Sequence, residues 1–366
     1  MINRARWHMK GTSVMWDYIR EEQEALGRML DDEALFETAG SVPELEAVYI
    51  VAHGSSYNAS VVMSDFLSRY MRVRVYGYTP ANFMHNCSSI KCEDRKHCMV
   101  VAISQTGTSR GLLEAAGLAK DMGFAVMGVT QVKDSPLTHL ADRCLYLGCG
   151  DEESNAKTKG YSSTLLALMI FGLQYGLSHG KLEQEMYQAV LQELKQCVSR
   201  LDTAMDQVAD WCKKSGFGCR MENLYVLGAG MNYGTAMEGQ LKLMETMCIP
   251  TMFNDIEEFS HGMHRSINET SSVILLNTDN LYTELISATF SYLMNITDRV
   301  LMLYAGNGSV CGDKVLKLDY YPLTQSVLVL TMAIQVLSVY IPEAGGYDPN
   351  REANDDYTQY VHTRVS

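Results

Sequence analysis

Short β-branched and aliphatic runs recur along the chain, each separated from the next by a longer segment with helix-like patterning. In the first half, the runs at 47–52, 73–76, 99–104, 125–130 and 144–147 are predicted strands. In the second half, the corresponding runs are 224–227, 251–253, 273–276, 300–304 and 315–318. This alternation predicts an α/β fold of two doubly wound domains, with parallel sheets flanked by helices. Residues 162–177 read as a buried helix. Residues 182–211 read as one long, charged, amphipathic helix without proline or glycine, linking the domains. The apolar segment from about Leu323 closes the second domain as a helix. The predicted division is a first domain at 30–180, a linking helix at 181–215, a second domain at 216–345 and a C-terminal tail at 346–366.

The halves read as copies of one unit. Tyr49-Ile-Val-Ala-His-Gly54-Ser-Ser-Tyr57 aligns without a gap on Tyr225-Val-Leu-Gly-Ala-Gly230-Met-Asn-Tyr233. Each is a strand, a glycine turn and a helix start, placed where a doubly wound domain carries its first glycine-rich turn.

Composition narrows the class. The 366 residues suit two or three domains, and 47% hydrophobic against 20% charged residues excludes a disordered chain. The net charge of −13 opposes attraction to nucleic acid or to an anionic membrane. The apolar run 327–341 is shorter than the ~20 residues of a membrane span and contains Thr331, Gln335 and Ser338, so a buried helix is expected. The basic stretch 1–10 is not followed by a signal-length apolar run. Ten cysteines without a CxxC pair suit a reducing cytoplasm. Cys87, Cys92, His97 and Cys98 lack a second ligand pair of zinc-site spacing, and no metal is expected there.

Two strand-to-helix junctions of the first half are rich in hydroxyls: Gly54-Ser55-Ser56, and Ser104-Gln105-Thr106-Gly107-Thr108-Ser109. Hydroxyls and main-chain N–H groups at helix starts make a neutral cradle for a phosphate. Either stretch alone also suits plain N-capping, whereas two at adjacent crossovers of one sheet indicate a shared ligand. Neither contains a nucleotide P-loop or a GxGxxG turn. The second copy carries Met231-Asn232 and Asn277-Thr278-Asp279-Asn280 instead, which predicts a different role. Its first helix places Glu238 and Glu245 on one face with Lys242 between them, ordinarily a solvated surface arrangement. Glu245 and His261, the latter after the acidic segment 255–258, together offer the carboxylate and imidazole needed to move a proton between carbons and to assist a leaving or ring oxygen.

Five motifs in order resemble the sugar-isomerase (SIS) family in its double-domain form, as in the isomerase half of glucosamine-6-phosphate synthase and in fructosamine-6-phosphate deglycases. They are Gly54-Ser-Ser-Tyr57, Ile103-Ser-Gln-Thr-Gly107, Glu152-x3-Ala156-Lys-Thr-Lys159, Ala236-Met-Glu-Gly-Gln-Leu-Lys-Leu-Met-Glu245 and His261-Gly262, within a resemblance running from about Tyr18. The resemblance implies two tandem SIS domains. It places Ser55, Ser56, Ser104, Gln105, Thr106 and Ser109 at a sugar-phosphate cradle, with Lys159 and Glu238 added to the substrate-binding set. It makes Glu245 the proton shuttle between C1 and C2, and His261 the ring-opening or acid residue. His261 is implied to reach a neighbouring subunit's site, so a homodimer or larger homo-oligomer is expected.

Two departures shape the expected activity. The chain opens Met1-Ile2-Asn3, without the synthase's glutamine-hydrolysing domain, so glutamine is not expected as nitrogen donor. Where the synthase has a lysine near its C-terminus, the tail carries His362, read equally as a site residue or as plain surface. The preferred expectation is a cofactor-free deglycase that cleaves a 6-phosphorylated ketosamine to an aldose 6-phosphate and an amine. The alternatives are an aldose–ketose phosphosugar isomerase or an amino-sugar phosphate deaminase. A non-catalytic phosphosugar sensor is disfavoured by the lack of a helix-turn-helix extension and by the presence of Glu245 and His261.

Overall fold

The computed structural model describes residues 13–218 and 221–365, and the basic stretch 1–10 lies outside them. Among the described residues, ten strands form two five-stranded parallel sheets. The first contains β1 (Ala47–Ala52), β2 (Arg74–Tyr78), β3 (Cys98–Ile103), β4 (Ala125–Thr130) and β5 (Arg143–Tyr146), in the order β2-β1-β3-β4-β5. The second contains β6 (Leu224–Gly228), β7 (Thr251–Asp255), β8 (Ser272–Thr278), β9 (Val300–Ala305) and β10 (Val315–Lys317), in the order β7-β6-β8-β9-β10. Both sheets therefore share one topology. Every position of β1, β3, β6, β8 and β9 is buried, as strands covered on both faces require.

The chain forms two compact units. The first holds β1–β5 and comprises Glu24–Glu152, Lys159–Gln192 and Asn354–Ser366; the second holds β6–β10 within Glu193–Ala353, with Glu153–Thr158 and the stretch up to Gln23. In the first, helix Gly54–Met71 packs on helix Lys159–Ser178, which is buried nearly all round. The other face of its sheet packs Tyr49, Val51, Val100 and Ala102 against Leu112, Ala115 and Ala119 of helix Arg110–Asp121. In the second unit, helix Met231–Met247 packs on helix Val327–Ala344. The latter is apolar and long enough to cross a membrane, yet it lies buried in the core of its unit.

One element differs from the reading of the sequence. The segment expected as a single linking helix is two helices, Gln184–Val198 and Leu201–Ser215. The break needs neither proline nor glycine. Ser199 Oγ donates back to the Gln196 carbonyl, and the Arg200 guanidinium reaches Asp319, with Arg200 held at φ −118° and ψ 5°. Side-chain bonding here competes with continuation of the helix.

Candidate functional site

In a sheet of this order, ligands bind beyond the carboxyl ends of the strands, where the chain switches direction between β1 and β3. Both hydroxyl-rich junctions of the first unit leave the sheet at this point. Gly54 adopts φ +53° and opens helix Gly54–Met71, placing half-buried Ser55 and Ser56 in its first turn. After β3, Ser104 Oγ accepts the Gly107 N–H at 3.1 Å and lies 3.2 Å from Ser109 Oγ. Thr106 and Thr108 share a hydroxyl contact of 2.9 Å. Ser109 is the N-cap of helix Arg110–Asp121, but its side chain makes no capping bond. The main-chain carbonyl of Gln105 accepts the Gln131 N–H, while its side-chain amide lies over Gly160, where a Cβ would fall 2.5 Å from Gln105 Cδ. The loop thus presents several hydroxyls on a backbone held from both sides.

Gly107 sets this loop's path. Its φ is +69°, and a Cβ there would lie 2.6 Å from Ser135 Cβ. Left-handed backbone alone costs a non-glycine residue about 1–2 kcal/mol. Gly107→Ala is therefore expected to lower the thermal midpoint and to weaken phosphate binding, measured by calorimetric denaturation and titration. An unchanged midpoint would mean that the loop relaxes freely around Ser135.

The C-terminal tail pairs with the same loop. Ser109 and Arg364 form an antiparallel bridge, the Arg110 N–H donates to the Thr363 carbonyl, and the Val365 N–H donates to the Thr108 carbonyl. Arg110 Nε also donates to the carbonyl of His362, whose side chain is exposed and whose φ is +49°. Lys159 begins helix Lys159–Ser178 and is 4% exposed, and neighbouring Gly160 donates its N–H to buried Glu152. Sequence reading used Glu152 only as a motif member. Its role as acceptor at this helix start had no periodic signal.

The second unit corrects one expectation. The Glu238–Lys242–Glu245 face is not solvated: Lys242 is 1% and Glu238 2% exposed. Lys242 Nζ lies 2.8 Å from Glu245 Oε2 and 3.6 Å from Glu238 Oε1. An ammonium is tolerated in such a place because carboxylates surround it. Glu245 itself keeps a third of its side chain exposed, so one carboxylate is held by a buried cation and still opens outward. His261 lies on an exposed loop, its N–H bonded to the Glu258 carbonyl. That loop follows the turn Ile256–Phe259, which Asp255 caps by accepting the Glu257 and Glu258 N–H groups. No hydrogen bond joins His261 to Glu245 among the described residues.

The second unit's own β6/β8 crevice is bridged internally. Asn232 and Asn280 both donate side-chain N–H groups to Thr278 Oγ1, each at 3.1 Å. This is the counterpart of the hydroxyl-rich crevice, and its side-chain amides converge on one hydroxyl while Asn232 Oδ1 stays without a partner among the described residues.

Residues 45–173 match the family model described as SIS domain. The glutamine–fructose-6-phosphate aminotransferase (isomerizing) of Caldanaerobacter subterraneus subsp. tengcongensis is 26% identical over 323 residues, covering 87% of this chain and 52% of that protein. The chain thus spans about half the length of the curated relatives it matches. Among solved structures, a phosphosugar isomerase candidate from Clostridium difficile 630 superposes with a TM-score of 0.87 at 26% identity, covering 96% of this chain and 98% of that one. That superposition takes in both five-stranded sheets of the present chain. Glucosamine-6-phosphate deaminase from Thermotoga maritima shares the fold at 19% identity, with a TM-score of 0.74 and coverage of 93% and 97%.

Proposed function

We propose that this chain is a phosphosugar enzyme, and specifically a deglycase acting on a 6-phosphorylated ketosamine. The observation that carries the reading is the pair of hydroxyl junctions at the β1/β3 switch, where Ser104 and Ser109 lie beside the start of a helix without a side-chain cap. Such a loop suits a phosphate dianion through neutral donors. Glu245, oriented by Lys242, takes the proton from C1 of the ketosamine and returns it to C2 through an enaminol. The product is an aldimine between C1 and nitrogen. Water adds to C1, the C–N bond breaks, and aldose 6-phosphate and free amine leave. His261 serves proton transfer at the ring oxygen, either within its own subunit or in that of a second copy.

A second reading follows from the named relatives: the same C1–C2 proton relay without C–N cleavage is an isomerase, and with amine loss from C2 it is a deaminase. Incubation with a panel of 6-phosphorylated ketosamines, with glucose 6-phosphate release followed by a coupled assay, separates them. Charge-assisted hydrogen bonds to phosphate are each worth about 1.5–3 kcal/mol, so the unphosphorylated ketosamine should lose at least about 10²-fold in kcat/KM. Ser104→Ala should weaken the phosphorylated substrate alone. Equal turnover of both substrates would overturn the cradle, and turnover of fructose 6-phosphate without any of the ketosamines would favour the isomerase.

A further inference from the structure

We propose that His53 is a ligand-contacting residue of the β1/β3 crevice, donating a ring N–H to the phosphate of the substrate. This rests on the phosphosugar reading above. His53 follows β1 directly and is the N-cap residue of helix Gly54–Met71, with extended backbone (φ −118°, ψ 155°), yet its side chain makes no capping bond. The ring turns instead toward the helix that follows β3. Its Nε2 lies 3.2 Å from where a Cβ on Gly111 would stand, and Gly111 is the second residue of helix Arg110–Asp121. One imidazole therefore lies beside the starts of both helices that flank the switch point. Glycine inside a helix costs about 1 kcal/mol relative to alanine. Here a Cβ would crowd the ring, and the same position also meets Pro80 Cβ at 3.8 Å.

Among the described residues this ring has no side-chain hydrogen-bond or ionic partner, and His53 is exposed. Desolvation by the surrounding protein lowers its pKa, and no charged group contributes. The elements around it carry His85 on helix Pro80–His85, Arg110 and Glu114 on helix Arg110–Asp121, and His362 and Arg364 on the tail, where Arg110 is engaged with the His362 carbonyl. A neutral imidazole next to two positive helix ends is a donor awaiting an anion. The duplication supplies an internal comparison. Ala229 takes this position in the second unit, where Asn232 and Thr278 bridge the crevice. The imidazole is found only where the crevice is lined with hydroxyls.

The test is titration calorimetry with fructose 6-phosphate and with inorganic phosphate on the full chain and on His53→Ala, His53→Gln and Ser104→Ala. It is accompanied by NMR of the histidine rings. His53→Ala should weaken both ligands at least tenfold at an unchanged thermal midpoint, and His53→Gln, which keeps a donor, should recover part of the loss. The His53 ring signals should shift on saturation, and its pKa should rise as the bound anion favours the imidazolium. Parental affinity in His53→Ala, with unmoved ring signals and weakened binding in Ser104→Ala, would overturn the role of His53 and leave the cradle standing. Parental affinity in both variants, or no binding by the parent, would overturn the cradle and this inference together.

Discussion

Glu245→Gln is expected to lower kcat by about 10²–10⁴ and to leave substrate binding nearly unchanged. Glutamine keeps the shape of the side chain and an oxygen for Lys242 Nζ, which stands 2.8 Å from the carboxylate, but it cannot accept the proton from C1. The separation of kcat from binding is the diagnostic. Glu245 is partly exposed at the end of its helix but is the nearer counter-ion of buried Lys242, so a thermal melt of the variant accompanies the kinetics. Single-turnover kinetics of the release step, compared with calorimetric affinity for the same ketosamine phosphate, measure both quantities. A variant that retains parental kcat would move the base elsewhere. A variant that loses affinity and rate in proportion would make Glu245 a binding group.

Lys242→Met should cost about 3–5 kcal/mol of stability in the second unit, the usual result of removing one partner from a buried ion pair. The ammonium is 1% exposed, and both Glu238, 2% exposed, and Glu245 would lose its charge. Urea unfolding of parent and variant reads this directly. Parental stability in the variant would show that the two carboxylates are held without the ammonium.

The strands were legible because each is a short β-branched run bounded by turn residues, and a parallel sheet buried on both faces leaves no polar alternation to confuse the pattern. The hydroxyl junctions were legible because two of them fall at adjacent crossovers of one sheet, where N-capping alone does not call for both. The break at Ser199–Arg200 was not legible, because it depends on Asp319, far along the chain. Nor was the burial of Lys242. A Glu-Lys-Glu face with helical spacing reads the same in water or under a neighbouring helix, and what decides is the packing of helix Met231–Met247 against Val327–Ala344. The tail gives no periodic signal at all, since its attachment to Thr108–Arg110 is one isolated bridge and a few main-chain bonds.

That attachment bears on the order in which the molecule can be completed during synthesis. The strands of the first unit emerge before any of the second sheet, and domains ordinarily fold as units as they appear. Here the residues that pair with the hydroxyl loop come after β10, so the first unit stays unfinished until the entire second sheet has been translated. A nascent chain stalled before Asn354 would carry both sheets and a loop still lacking its last neighbour.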